Sequence, residues 1–276
     1  MSAVRRVAAV DIGGTQLRAA LVDEEARIHR RVARPVASPQ DGEALTGQVV
    51  TLLQELMAGQ PQPVAVGVSL PAVIDRRAGR VEWAPNLPGW DGVELGPRLS
   101  EALAMPVVLE YDGHAAVLGE HWAGAGRGVA DLVFVIVGTG VGGGIIADGR
   151  LVRGASNLAG AGGWMGVPGA TEADPARAAA RGLLESLIAG PALQATASRR
   201  LGEPLAPRDI FDRAARGDPA CRAIVDEARE HLAWALANVV SLLNPALVLV
   251  GGSVGLRLAE QPERLEAAVR GRAQPW

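Results

Sequence analysis

The sequence predicts an α/β protein of two related lobes with a cleft between them. Three observations carry this. A strand–glycine turn–strand–turn–strand order occurs twice, beginning at Arg6 and again at Asp131. Alternating helical and strand patterns follow each copy. Each glycine turn also carries a threonine, Thr15 in the first and Thr139 in the second.

The elements read in order. RVAAV is a short apolar strand, DIGGT a glycine-rich turn, QLRAALV an alternating strand, DEEA a turn and RIHRRVA a third strand. GEALTGQVVTLLQELMAG has helical spacing, PVAVGVSL is a strand, GVELGPRLSEALA a helix and MPVVLEYD a strand. A helix-like AAVLGEHW follows Gly113-His114. The second copy runs LVFVIV, GTGVGGG, IIA, a DGR turn and LVRG. Two helical runs then lead to ALVLVGGS, a strand ending in glycines, and LAEQPERLEAAVRGRA reads as a last helix. The lobes divide as residues 1–113 and 114–276.

Composition narrows the function. The chain has 276 residues, 49% hydrophobic, which suffices for two lobes with separate cores. Net charge is -3 and no basic cluster stands out, so a nucleic-acid partner is not expected. All 27 basic residues are Arg, which excludes a catalytic Lys and the Lys of a Walker A loop. Cys221 is the single cysteine, so neither an internal disulfide nor a thiolate-rich zinc cluster can form. No segment nears the roughly 20 apolar residues of a membrane span, and the short apolar run after Arg5-Arg6 meets Asp11 at once. A reducing, cytoplasmic setting follows.

Gly138, Gly140 and Gly143 satisfy G-x-G-x-x-G, but a dinucleotide fingerprint needs a helix straight after it. Here β-type IIADGRLVRG follows, with a D-G hairpin turn. Glycine turns between antiparallel strands still suit phosphate. Without Cβ atoms the backbone approaches an anion closely, and successive N–H groups form a concave nest. Gly13, Gly14 and Thr15 form one such turn, and Gly138, Thr139 and Gly140 the other. Asp11 ends the first strand and suits a hydrated Mg²⁺, which prefers carboxylate plus waters. Asp112 sits where a strand gives way to a helix. It is either an N-cap or a carboxylate at a strand's C-terminal end, where open α/β sheets hold ligands.

Taken together, DIGGT (11–15), APNLPGW (84–90), LEYDGHAAVLGEHWAGAGRG (109–128), GTGVGGG (138–144), ESLIAGPAL (185–193) and NPALVLVGG (244–252) resemble the ROK family of sugar kinases and their regulators. The resemblance covers nearly the whole chain. It implies a two-lobed actin-like (ribonuclease H-like) ATPase fold with an interlobe cleft, and ATP-dependent phosphorylation of a sugar hydroxyl with Mg²⁺. Asp112 matches the family's catalytic base. Asn86 and Glu185 match sugar-contacting residues, and Gly251 and Gly252 match the adenosine-side loop. The partners implied are a small-molecule sugar and a nucleotide, in a homodimer.

The departures gather at the sugar site. Tyr111 stands where the family has Asn, and Gly113-His114 where it has Ala-Asn. Ala161 and Trp164 replace a Glu and a His that grip sugar hydroxyls. The family's zinc cysteines fall on Ala176, Ala178 and Leu183, so no family-type zinc is expected. Trp164 either stacks on a sugar face or fills a core. The family's final strand and helix have no counterpart after the last helix, which would leave a sheet edge uncovered: either the coding sequence is truncated or a dimer partner covers that surface. Two other readings remain: a non-catalytic sugar- or nucleotide-binding relative, and a kinase using polyphosphate. The first phosphate turn begins at Asp11, so no room is expected for the helix-turn-helix of the family's regulators.

Overall fold

The computed structural model describes residues 4–37, 41–84, 87, 89–169 and 174–275. Two compact units form. Unit 1 is Met1–Gly119 with Arg153–Ala159; unit 2 is Glu120–Val152 with Gly160–Trp276.

Unit 1 is built on the first repeat. β1 (Arg6–Ile12), β2 (Gln16–Asp23) and β3 (Ile28–Pro35) form an antiparallel meander. Alternation in β1 and β2 puts Ala8, Val10, Ile12, Leu17, Ala19 and Leu21 on one buried face. α1 (Gly42–Met57) follows, capped by Asp41, whose carboxylate accepts the Glu43 and Ala44 N–H groups at 3.0 Å. Its stripe of Leu45, Val49, Leu52, Leu53 and Leu56 joins the strand residues in one core. β4 (Val66–Leu70) pairs parallel to β1. β5 (Val73–Asp75) and β6 (Arg80–Trp83) make a small hairpin that the sequence reading leaves unassigned. α2 (Leu95–Leu103) and β7 (Val107–Tyr111) complete a sheet of order β3-β2-β1-β4-β7. α3 (Asp112–Ala123) starts at Asp112 and crosses the 113/114 division, and unit 1 runs on to Gly119.

Unit 2 repeats the plan. β8 (Leu132–Val137) and β9 (Val141–Ala147) are antiparallel, and the Asp148-Gly149 turn leads to β10 (Arg150–Val152). Both turn residues have positive φ, as a two-residue hairpin turn of this kind requires. Only Gly138–Gly140 is turn; Val141–Gly144 already belongs to β9. β11 (Leu247–Gly251) pairs parallel to β8, giving the order β10-β9-β8-β11. In both sheets the meander's first strand is internal and a later strand joins it in parallel. The duplication read from the sequence is therefore a duplication of topology.

Helices fill the rest of unit 2. α4 (Pro175–Arg181), α5 (Leu183–Ile188), α6 (Gly190–Leu201) and α7 (Pro207–Ala215) precede α8 (Pro219–Leu243). Asp218 caps α8 through the Ala220 and Cys221 N–H groups, and Asn244 closes it in the left-handed region at φ 43°. Cys221 is buried in its first turn. The last helix expected over LAEQPERLEAAVRGRA begins instead at Pro262, as α10 (Pro262–Arg270), and a short helix the sequence reading leaves unassigned, α9 (Ser253–Leu258), precedes it. Pro262 sets that start, because proline fits a helix's first turn and disrupts its interior.

Candidate active site

In unit 1 the strand ends bring the expected residues together. Asp11 lies near the end of β1, in register with Arg18 of β2 and Ser69 of β4. Its Oδ2 is 3.5 Å from Arg18 Nη1 and its Oδ1 is 3.5 Å from Ser69 Oγ. The turn after it is closed by the Gly13 N–H donating to Gln16 O at 3.0 Å. Gly14 and Thr15 are exposed on that turn, as a phosphate-binding turn requires.

Asp112 follows β7 directly and is half-buried. Its Oδ1 accepts the Gly113 N–H at 2.7 Å, inside the same turn of α3. Burial pushes its carboxyl up to about 6, and the nearby Asp11 charge pushes the same way. The Gly113 N–H and His114 pull against both. A carboxylate so tuned is mostly ionised at pH 7 and accepts a proton more readily than an ordinary Asp. Tyr111 is buried, with its ring edge-on to His114 at 5.1 Å. Asn86 lies outside the described residues.

In unit 2 the second glycine turn borders a cavity of about 580 Å³. Gly138 and Thr139 line one side. Gly190, Pro191 and Gln194 come from the start of α6, and Pro207, Arg208 and Phe211 from α7. Ser253, Val254 and Arg257 come from α9. Three helix starts thus face one space, although the Gly190 N–H is already given to Gly138 O at 2.8 Å and Pro191 and Pro207 have no N–H to offer. The Arg257 guanidinium lies 5.4 Å from the centroid of the Phe211 ring and is held by Asp212 at 2.9 Å. A planar, cation-backed aromatic suits a flat heterocycle.

Gly251 and Gly252 do not line this cavity. A Cβ on Gly251 would fall 2.6 Å from the Phe134 ring, and one on Gly252 2.3 Å from Val137 O. Gly252 also has φ 82°. Close packing on β8 demands glycine at both, and they hand the chain to Ser253 and Val254. Gly140 lies on the turn without lining the cavity.

Glu185, on α5, is buried and braces the second turn: its Oε2 accepts the Val141 N–H at 2.8 Å. Burial raises its pKa, against the pull of that N–H. Trp164, in a 3-10 turn over Gly162–Trp164, is 48% exposed, so its ring is not core filler. Ala176 and Ala178 fall on α4 and Leu183 begins α5, none with a metal-ligating side chain. Sequence reasoning missed Arg18, Ser69, Gln194, Phe211 and Arg257. Register could have found the first two, since they flank Asp11 on neighbouring strands. No local pattern marks the other three.

Known proteins align with this arrangement. A glucokinase of Thermotoga maritima is 31% identical, over 89% of this chain and 81% of its own. An N-acetylmannosamine kinase of Citrobacter koseri is 34% identical, over 90% and 83%. The crystal structure of a ROK family glucokinase from Streptomyces griseus, in complex with glucose and AMPPNP, superposes with a TM-score of 0.80. It is 27% identical, over 98% of this chain and 90% of its own. The ROK family model matches residues 7–274, so the chain belongs to the ROK family and has its two-lobed actin-like ATPase fold.

Proposed function

We propose that this chain is an ATP-dependent kinase of a sugar or sugar-derivative hydroxyl, with Asp112 as its base. The observation that carries the reading is the Asp112 carboxyl, half-buried at a strand end and pushed up to about 6 by that burial, with the Asp11 charge acting the same way. In this reaction a sugar oxygen forms a bond to the γ-phosphorus of ATP, the bond to the β-phosphate oxygen breaks, and ADP leaves. Asp112 takes the hydroxyl proton. Phosphoryl transfer otherwise asks the protein for positioning and charge stabilisation.

The adenosine part of ATP fits the unit 2 cavity, with the base against Phe211 and the phosphates toward Gly138 and Thr139. In unit 1 the exposed Gly14 and Thr15 of the first glycine turn suit a phosphate in their own right. Asp11 fits a hydrated Mg²⁺, being a half-exposed carboxylate with only loose contacts at 3.5 Å. Bound there, the ion would neutralise phosphate charge.

A second reading, a non-catalytic binding relative, is favoured by Ala161 and the half-exposed Trp164, which lack the carboxylate and imidazole that the resemblance puts there. A screen of hexoses, amino sugars and their N-acetyl forms, with ATP and separately with polyphosphate, decides the matter. ADP formation dependent on one sugar supports the kinase. Turnover with polyphosphate alone changes the donor. Silence throughout favours the binding relative.

A further inference from the structure

Beside Asp112 lies a buried polar junction that the proposed chemistry does not use. His114 is fully buried. Its Nδ1 is 3.2 Å from Glu110 Oε1, and its Nε2 is 2.8 Å from the carbonyl oxygen of Ala159. Glu110 Oε2 accepts from Arg153 Nη2 at 2.9 Å and lies 3.3 Å from Arg76 Nε. Arg153 and Ala159 bound the one stretch of chain after Gly119 that belongs to unit 1. Asn157 ties the same stretch down, donating to Ile74 O at 3.1 Å from a left-handed backbone of φ 54°.

The donor and acceptor count fixes the state of His114. Burial works to raise the Glu110 pKa, but the His114 and Arg153 hydrogen bonds and the Arg76 charge outweigh it and hold the carboxyl below its ordinary value. Glu110 is therefore an ionised acceptor, and Ala159 O is an acceptor by nature. A neutral imidazole has one N–H and one lone pair, so one nitrogen would face an acceptor with nothing to donate. Only the imidazolium satisfies both contacts. Glu110 from β7 and Asp112 on its own helix favour that charge. Arg76 after β5 and Arg153 after β10 oppose it.

The location gives the junction its consequence. The Asp112 carboxylate is oriented by the Gly113 N–H, so its aim follows the first turn of α3. Gly113 alone would leave that turn free to move. We propose that His114, donating from both ring nitrogens as an imidazolium, is a positioning residue that fixes Asp112 by clamping residues 153–159 to the first turn of α3. This rests on the reading of Asp112 as base. It adds a device centred on His114, which stands where the family pattern has Asn.

Three measurements on the full chain test it. Nitrogen-15 NMR of the wild-type imidazole at pH 7 should show both His114 ring nitrogens protonated; a neutral tautomer overturns the proposal. His114→Gln cannot carry the charge or span both acceptors. Amide exchange across residues 153–159 should then quicken about tenfold to a hundredfold, the loss of one charged hydrogen bond; unchanged exchange overturns the clamp. With an active sugar, His114→Gln should lower kcat, leave the KM for ATP unchanged and move the acid limb of the pH profile upward. The upward move follows from losing a positive charge beside Asp112. An unmoved limb with unchanged kcat overturns the positioning role. If the wild type phosphorylates no sugar, the proposed function fails on its own account. The NMR and exchange results still judge the clamp, and the NMR needs no variant to fold.

Discussion

Asp112→Asn is expected to slow turnover and stabilise the fold at once. Asn keeps the volume and an oxygen for the Gly113 N–H, and removes the proton acceptor. Loss of a positioned base lowers turnover by about a hundredfold or more. Stability moves the other way. Holding the carboxyl near 6 in place of 3.8 disfavours the ionised folded form at pH 7 by about 3 kcal/mol. Asn carries no such penalty, so Tm should rise by several degrees, at roughly 2–4 °C per kcal/mol for a chain of this class. The sign reverses nothing on the acid side. The folded Asp112 binds its proton more tightly than the unfolded chain does, so its destabilising effect is full above about 6. It fades as pH falls from about 6 to about 4. The Tm gap between variant and wild type should close over that window. The assays are coupled ADP release and thermal melts at pH 7.5, 6 and 4. A folded variant with wild-type turnover refutes the base, and a gap that does not shrink with acid refutes the burial argument.

Three further outcomes follow from other residues. Phe211→Ala should weaken ADP binding about tenfold by calorimetry, from the lost stacking surface, and unchanged affinity would remove the adenine from this cavity. His231 is buried on α8 with Glu227 Oε1 no closer than 3.8 Å to its Nε2, and burial lowers its pKa from 6.5 against the pull of the Glu227 and Glu230 charges. The unfolded chain takes up that proton first, so wild-type stability is lost as pH falls below about 6.5. The stability gained in His231→Leu should grow between pH 7.5 and 5.5 in urea melts; a constant gain refutes this. Elemental analysis should find no stoichiometric zinc, and one zinc per chain would overturn the alignment of residues 160–185.

Much of the fold could be read from local pattern. Alternation in RVAAVDI and QLRAALVD, the helical stripe after Asp41 and the glycine turns all act over a few residues. The start signal at Pro262 is equally local, yet helical spacing extends back to Leu258 and puts the expected start four residues early. The β5–β6 hairpin was harder, being only three and four residues per strand. The site divides along the same line. Asp11 and Asp112 announce themselves at strand ends. Phe211 and Arg257 meet only because α7 and α9 come together at one cavity, 46 positions apart in a chain with no motif at either. Glu185 looks like a ligand-facing carboxylate in sequence, yet one of its oxygens is spent on the Val141 N–H. Tertiary hydrogen bonding of that kind leaves no trace in residue order.

The return of residues 153–159 to unit 1 bears on any attempt to dissect the protein. Neither unit is a continuous stretch of chain. A fragment ending at Gly119 would carry Glu110 and His114 but lose Arg153 and the Ala159 carbonyl, leaving both groups short of partners in a buried place. Removing Arg153 from this partly buried ionic pair leaves the Glu110 charge less compensated and destabilises the fragment. Such a fragment would be expressed as a poorly folded half, and so would its complement with a superfluous seven-residue loop. A circular permutant that keeps Arg153–Ala159 tethered to the first unit, or a short linker grafting that stretch after Gly119, is the shorter route to an independent unit 1.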